Sequence, residues 1–85
     1  MSQFASLRTS HQLGSALARL REQANLTQAE LGQKAGLRQA TISKIESGSE
    51  SSRLETLCRI LAALEHEMQI GPRRQSAEAD LEDLF

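Results

Sequence analysis

Tryptophan and tyrosine are missing from this 85-residue chain and phenylalanine occurs only twice, so no aromatic cluster is available to fill an interior. A chain of this length makes one small domain. Folds of that size bury only about 60% of the surface that their unfolded chains expose, which leaves little apolar area in reserve and favours association with another copy. The lone cysteine, Cys58, has no partner for an internal disulfide, and it points to a cytoplasmic protein. No apolar run of roughly eighteen residues is present for a membrane span, and the opening MSQFASLRTSHQ lacks the apolar stretch of a signal peptide. Enzymatic chemistry has no foothold either. No nucleophile is paired with a base, no glycine-rich loop is spaced for a phosphate, and neither His11 nor Cys58 has a second ligand at helical spacing. The sequence therefore predicts neither an enzyme nor a cofactor or metal site.

Net charge is also small, at −1, but it is unevenly spread. Glu78, Asp80, Glu82 and Asp83 give the last eleven residues a charge of −4 with no basic residue, while residues 1–74 carry ten basic and seven acidic side chains, a net of +3. A mildly basic body with an acidic tail is compatible with phosphate contact, and the tail is placed to compete for the same basic face.

What the chain does have is a central stretch, TQAELGQKAGLRQATISKIES, from Thr27 to Ser47. Its apolar positions Leu31, Ala35, Leu37, Ile42 and Ile45 do not follow one continuous helical period; they suit two short helices packed at an angle. Gly36 stands where the chain must turn, and glycine reaches left-handed backbone angles without strain. Thr27 and Glu30 form a capping box that starts the first of the two helices. Gly32, one residue after Leu31, keeps that helix small where a second crosses closely. The second helix, about Arg38 to Glu46, buries Ile42 and Ile45 and turns Arg38, Gln39, Ala40, Thr41, Ser43 and Lys44 outward, with no acid among them. Such a face suits the DNA major groove: Gln bonds two atoms of adenine, Arg and Lys reach guanine, Ser and Thr serve several bases, and Ala or the Thr methyl meets the thymine methyl. The plain alternative is a solvated polar face, and the paired-helix pattern weighs against it.

These residues resemble the lambda-repressor-like, or XRE, helix-turn-helix family. The likeness rests on Gln28, Leu31, Gly32, Ala35, Gly36, Leu37, Ile42, Ile45 and the Glu46-Ser47-Gly48 ending, and it covers about residues 10–64. Alanine is usual at the Gly32 position, a departure that loosens the helix by up to about 1 kcal/mol. The resemblance implies that Gln28 binds a DNA phosphate from the amino end of its helix and that Gln39, Ala40, Ser43 and Lys44 face the bases. It also implies that Arg21 pairs with Glu46. Independently, a carboxylate beside Ile45 near the core needs a cationic partner.

On either side of this motif the expectations are as follows. Residues 1–8 form a flexible arm in which Arg8 is more readily a solvated charge than a phosphate contact. Thr9 and Gln12 make a capping box for a helix to about Ala24, with Leu13, Leu17, Leu20 and Ala24 on one face. SGSESS after the second motif helix is a turn; Ser47 and Ser49 are candidate phosphate contacts, though loop serines are commoner. Ser52 and Glu55 cap a last helix whose core face is Leu54, Leu57, Cys58, Leu61 and Leu64, with Cys58 as a small buried hydrophobe. From Leu64 to Ile70 the period changes to the alternation of a strand, with Leu64, His66, Met68 and Ile70 on one side. A lone strand leaves its backbone unpaired, so its partner is the same strand of a second copy, with His66, Met68 and Ile70 at the dimer interface. Continuation of the helix to Gln69 also fits, since Leu57, Leu61, Leu64 and Met68 keep helical spacing. Residues 71–85 read as a disordered acidic tail in which Leu81, Leu84 and Phe85 are either solvated or an anchor for a partner.

The passage from Leu37 to Ile70 is similar to the HipB-like antitoxins within the XRE family, most clearly at Gln39-Ala40-Thr41-Ile42-Ser43 and at the segment after the last helix. That resemblance implies an all-α fold of four to five helices over residues 9–70, with a short C-terminal strand pairing across a homodimer. It further implies repression of its own operon through an inverted repeat of double-stranded operator DNA, and neutralisation of a HipA-like serine/threonine kinase toxin. Thr27, Gln28, Arg38, Gln39, Ala40, Thr41, Ser43, Lys44 and Ser47 are then the expected DNA-contacting set. A free-standing XRE repressor without a toxin and a protein-interaction module that no longer binds DNA are the competing readings.

Overall fold

The computed structural model describes residues 5–49 and 52–73, and among them it contains four helices and no strand. They are α1 (Ser10–Gln23), α2 (Gln28–Ala35), α3 (Gln39–Glu46) and α4 (Leu54–Ala63). Helix starts follow the polar caps. Thr9 accepts from the Gln12 amide at 3.0 Å, and at α2 the full reciprocal box is present: the Glu30 amide donates to the Thr27 hydroxyl at 3.0 Å and the Thr27 amide to the Glu30 carboxylate at 2.8 Å. At α1 the reciprocal bond goes one residue further out, with the Arg8 amide donating to Gln12 Oε1 at 2.6 Å.

Each helix closes with the same pair of bonds, one amide reaching back five residues and the amide before it reaching back three. The pairs are Leu26 to Arg21 with Asn25 to Glu22, Leu37 to Gly32 with Gly36 to Gln33, Ser49 to Lys44 with Gly48 to Ile45, and His66 to Leu61 with Glu65 to Ala62. This closure requires a left-handed residue at the turn. Gly36 and Gly48 supply it without strain at φ 72° and 92°; Asn25 and Glu65 adopt it at 60° and 59°.

Leu17, Leu31, Ile42, Ile45, Ile60, Leu61 and Leu64 form the core, one or more from every helix. Leu13, Leu20, Leu26, Leu37, Leu57 and Ala63 pack around it. Two glycines set the approach of the helices. A Cβ on Gly32 would lie 2.7 Å from the Leu37 carbonyl oxygen, and one on Gly14 would strike the Ile45 carbonyl and sit 2.8 Å from that of Glu46. Even alanine at position 32 would therefore force the turn to shift.

The last helix departs from expectation in two respects. It starts one residue late: Arg53 is the N-cap without a side-chain bond, and Glu55 instead pairs with Arg59 at 3.4 Å. Its core face is rotated, so that Ile60 is buried while Leu54 is 70% exposed and Cys58 is exposed rather than buried. It ends at Ala63, where Glu65 turns left-handed, so the alternative of a helix continued to Gln69 does not form, and the expected strand from Leu64 to Ile70 is not formed within the single chain either. Residues 66–70 that follow have no regular structure within the single chain. Residues 1–4 of the expected arm and 74–85 of the expected tail, with Phe4, Leu81, Leu84 and Phe85, lie outside the described residues.

Candidate nucleic-acid interface

α3 is amphipathic by simple count: Ile42 and Ile45 go into the core, and Gln39, Ala40, Ser43 and Lys44 are exposed, with Arg38 exposed at its N-cap. Thr41, expected to face outward, is half-buried. The one carboxylate of the helix, Glu46, is folded inward. Arg21 Nε donates to its Oε2 at 2.6 Å and Arg21 Nη2 to its Oε1 at 3.0 Å, a two-pronged ion pair whose side chains are only 12% and 9% exposed. Arg21 Nη1 donates to the Leu26 carbonyl at 2.8 Å, and Gln28 Nε2 to Glu46 Oε1 at 3.0 Å. The bonds to Glu46 raise the pKa of Arg21 above its ordinary value against the opposing effect of burial. One carboxylate thus ties the end of α1, the start of α2 and the end of α3, and its removal from the surface leaves the outward side of α3 without negative charge.

Gln28 sits at the amino end of α2 with one amide hydrogen committed to Glu46 and the other uncommitted. A phosphate there would meet a donor whose orientation is already set. Thr27, beside it, is exposed. Ser47 is differently placed: its hydroxyl donates to the Lys44 carbonyl at 2.8 Å, so a phosphate contact would have to replace that bond.

Two supports of α3 were not anticipated. Gly14 lets α1 touch the last carbonyls of α3, and the Ser10 hydroxyl donates to the Gly48 carbonyl at 3.1 Å. A Cβ on Gly48 would meet the Cα of His11 at 2.9 Å, so α1 also braces the turn after α3. A glycine inside an otherwise apolar helical row, as at Gly14, is the signal that marks such an approach.

A short helix with a polar, carboxylate-free face, seated across a second helix by a glycine turn and held by a buried ion pair, defines a helix-turn-helix protein. Residues 17–67 match the family model described as "Helix-turn-helix". The chain is 33% identical to "Antitoxin HipB" of Escherichia coli (strain K12) over 82 residues, covering 96% of this chain and 93% of the relative. It belongs to the HipB antitoxin family of helix-turn-helix proteins. Among solved structures it resembles a chain of the "HipA-HipB-O2-O3 complex" with a TM-score of 0.77 and 35% identity, over 84% of this chain and all of the other. It also resembles one from the "HipB-O4 20mer complex" with a TM-score of 0.78 and 35% identity, at the same coverage. No helix among the described residues is long and apolar enough to cross a membrane.

Proposed function

We propose that this chain is a sequence-specific repressor that binds double-stranded operator DNA as a homodimer and acts as the antitoxin to a HipA-like serine/threonine kinase. The observation that carries the DNA reading is the inward fold of Glu46. With it removed, α3 presents Gln39, Ala40, Ser43 and Lys44 as hydrogen-bonding and methyl groups without charge repulsion from the bases or phosphates. In this reading those four residues and Arg38 read bases in the major groove, Thr41 contributes from its half-buried position, and Thr27, Gln28 and Ser47 hold phosphates. Two copies would read the two halves of an inverted repeat about one DNA turn apart.

The toxin reading rests on likeness along nearly the whole chain to HipB, and on likeness to a chain of the solved HipA-HipB-O2-O3 complex. The dimer reading rests on residues 66–70. Met68 is 47% exposed and Ile70 fully so, His66 is exposed, and residues 67–70 make no backbone hydrogen bond to the rest of the described chain. Pairing with the same segment of a second copy would satisfy both the apolar side chains and the backbone.

The test is a titration of the purified protein against the DNA upstream of its own gene, over a range of salt. Tight binding with a steep salt dependence and a preference over random duplex supports the repressor, and equal affinity for random duplex and for heparin refutes it. Co-expression with an adjacent HipA-like kinase, scored by retention on the tagged chain and by loss of kinase activity, tests the antitoxin role separately. A repressor that binds operator but retains no kinase would be a free-standing XRE regulator.

A further inference from the structure

Glu22, Glu30 and Glu55 stand exposed on α1, α2 and α4. α3 differs: Arg38 at its N-cap and Lys44 in its last turn are exposed, and its one carboxylate, Glu46, is held inward by Arg21. Among the described helices α3 is therefore the one whose open side carries cations and no acid. Such a side attracts any polyanion that can reach it, and the other three helices, each with an exposed carboxylate, repel one in part.

The chain carries a polyanion of its own, which the function proposed above leaves unused. Glu78, Asp80, Glu82 and Asp83 give residues 75–85 a charge of −4 with no basic residue. These acids lie five to ten residues beyond Arg73, the last described residue, and that length of chain spans up to about 17–35 Å. The molecule is only 25 and 18 Å across its two shorter dimensions, so the acids can pass round it to α3.

We propose that, in the absence of DNA, residues 78–83 lie along the outward side of α3, their carboxylates standing where operator phosphates would stand beside Arg38 and Lys44. The inference rests on the DNA reading above and adds to it a competitor built into the chain. A short tether holds its end at about millimolar effective concentration, so a contact too weak to form between separate molecules is populated within one. Attraction between exposed charges fades beyond about 10 Å at 0.1 M salt, so the acids must be seated on the helix to count. Duplex DNA, with one negative charge per about 1.7 Å of axis, is the stronger polyanion and displaces them. Because the tail blocks the reading face itself, it lowers affinity for operator and for random duplex by the same factor.

The test uses the full-length chain and a variant with the tail charge removed by Glu78→Gln, Asp80→Asn, Glu82→Gln and Asp83→Asn. The four positions lie outside the helices, so helicity by circular dichroism should stay at the wild-type value. At low salt the neutralised chain should bind operator about three- to tenfold more tightly, and the gain should shrink as salt is raised. The chain has only two lysines, Lys44 on α3 and Lys34 on α2, both exposed, so carbodiimide coupling reports the seat of the tail directly. Peptide mapping of the wild type should find tail carboxylates joined as amides to Lys44 Nζ, the carbodiimide taking up the water, at about five times or more the yield at Lys34. Excess operator should suppress the Lys44 product, and a product within one chain or between two copies equally seats the tail on α3. A neutralised chain that binds operator within about twofold of wild type overturns the inference, as does a Lys44 yield no higher than that at Lys34. Tighter binding without the Lys44 product would mean that the tail repels DNA from a distance, and it overturns the inference too. If neither chain binds operator, the DNA reading falls, and the coupling yields still decide where the tail lies. If neutralisation leaves operator affinity unchanged and abolishes kinase retention, the tail belongs to the toxin contact and the inference falls.

Discussion

The surroundings of α3 and those of α4 differ in how completely one chain finishes them. Around α3 the contacts are closed: two isoleucines are buried, the single carboxylate has three nitrogen donors, and two glycines allow backbone to approach backbone. Around α4 the inner side is closed in the same way, but the outer side carries Leu54, Cys58 and Ala62 in the open and leads into residues 67–70, whose backbone makes no hydrogen bond to the rest of the described chain. A reading helix must keep its angle before DNA arrives, so its supports lie inside the protomer. A surface that waits for another molecule is left apolar and incomplete.

The largest break in this contrast should come from Glu46→Ala, which leaves the buried Arg21 only the exposed Glu22 carboxylate, 3.9 Å away, as a counter-charge. Loss of about 3–5 kcal/mol is expected, against a total stability that is commonly only about 5–15 kcal/mol. Urea unfolding of the purified variant measures it, and Glu46→Gln should lose less because Gln28 and one Arg21 nitrogen keep an acceptor. Gly14→Val comes next. Overpacking against the Ile45 and Glu46 carbonyls should destabilise by about 1–3 kcal/mol, and operator affinity should fall further than stability predicts because α3 is displaced as a unit. Gln39→Ala should leave urea unfolding within about 0.5 kcal/mol of wild type and weaken operator binding by about 1–3 kcal/mol, with one base position relaxed. An equal loss on random duplex would show that Gln39 touches only backbone. At the small end, Glu55→Gln should change unfolding by no more than about 0.5 kcal/mol, since the Glu55–Arg59 pair is exposed. A larger effect would mean that the outer side of α4 is more closed than its exposure indicates.

Much of the region around α3 was legible in advance. Thr27 and Glu30 announced the start of α2 because both halves of a capping box lie in four consecutive residues, and Gly36 announced its end because a left-handed turn selects glycine. A carboxylate next to Ile45 called for a cation near the core, and the family resemblance implied that Arg21 is that cation, as the pair shows. The region around α4 was less legible. Its residues are apolar on more than one side, so the spacing of Leu54, Leu57, Cys58 and Leu61 is satisfied by two rotations of the helix, and Cys58 was placed inside when it lies outside. Glu65 was equally silent, because its left-handed conformation comes from closure of the α4 end and not from any preference of glutamate. The Ser52–Glu55 box failed for a related reason: with Arg53 as N-cap, the Glu55 side chain lies within reach of Arg59, one turn along.

By itself, then, the order of residues determined what is local: where α1, α2 and α3 begin, where α2 turns, which face of α3 is polar, and the absence of acid from that face. These depend on bonds and periodicities spanning four or five residues. The tertiary structure alone decided which side of α4 is core, that Gly14 carries the carbonyl end of α3, and that Gln28 shares Glu46 with Arg21. Each of these joins groups far apart in sequence, and an apolar helix shows which of its sides is inner only when its neighbours are in place.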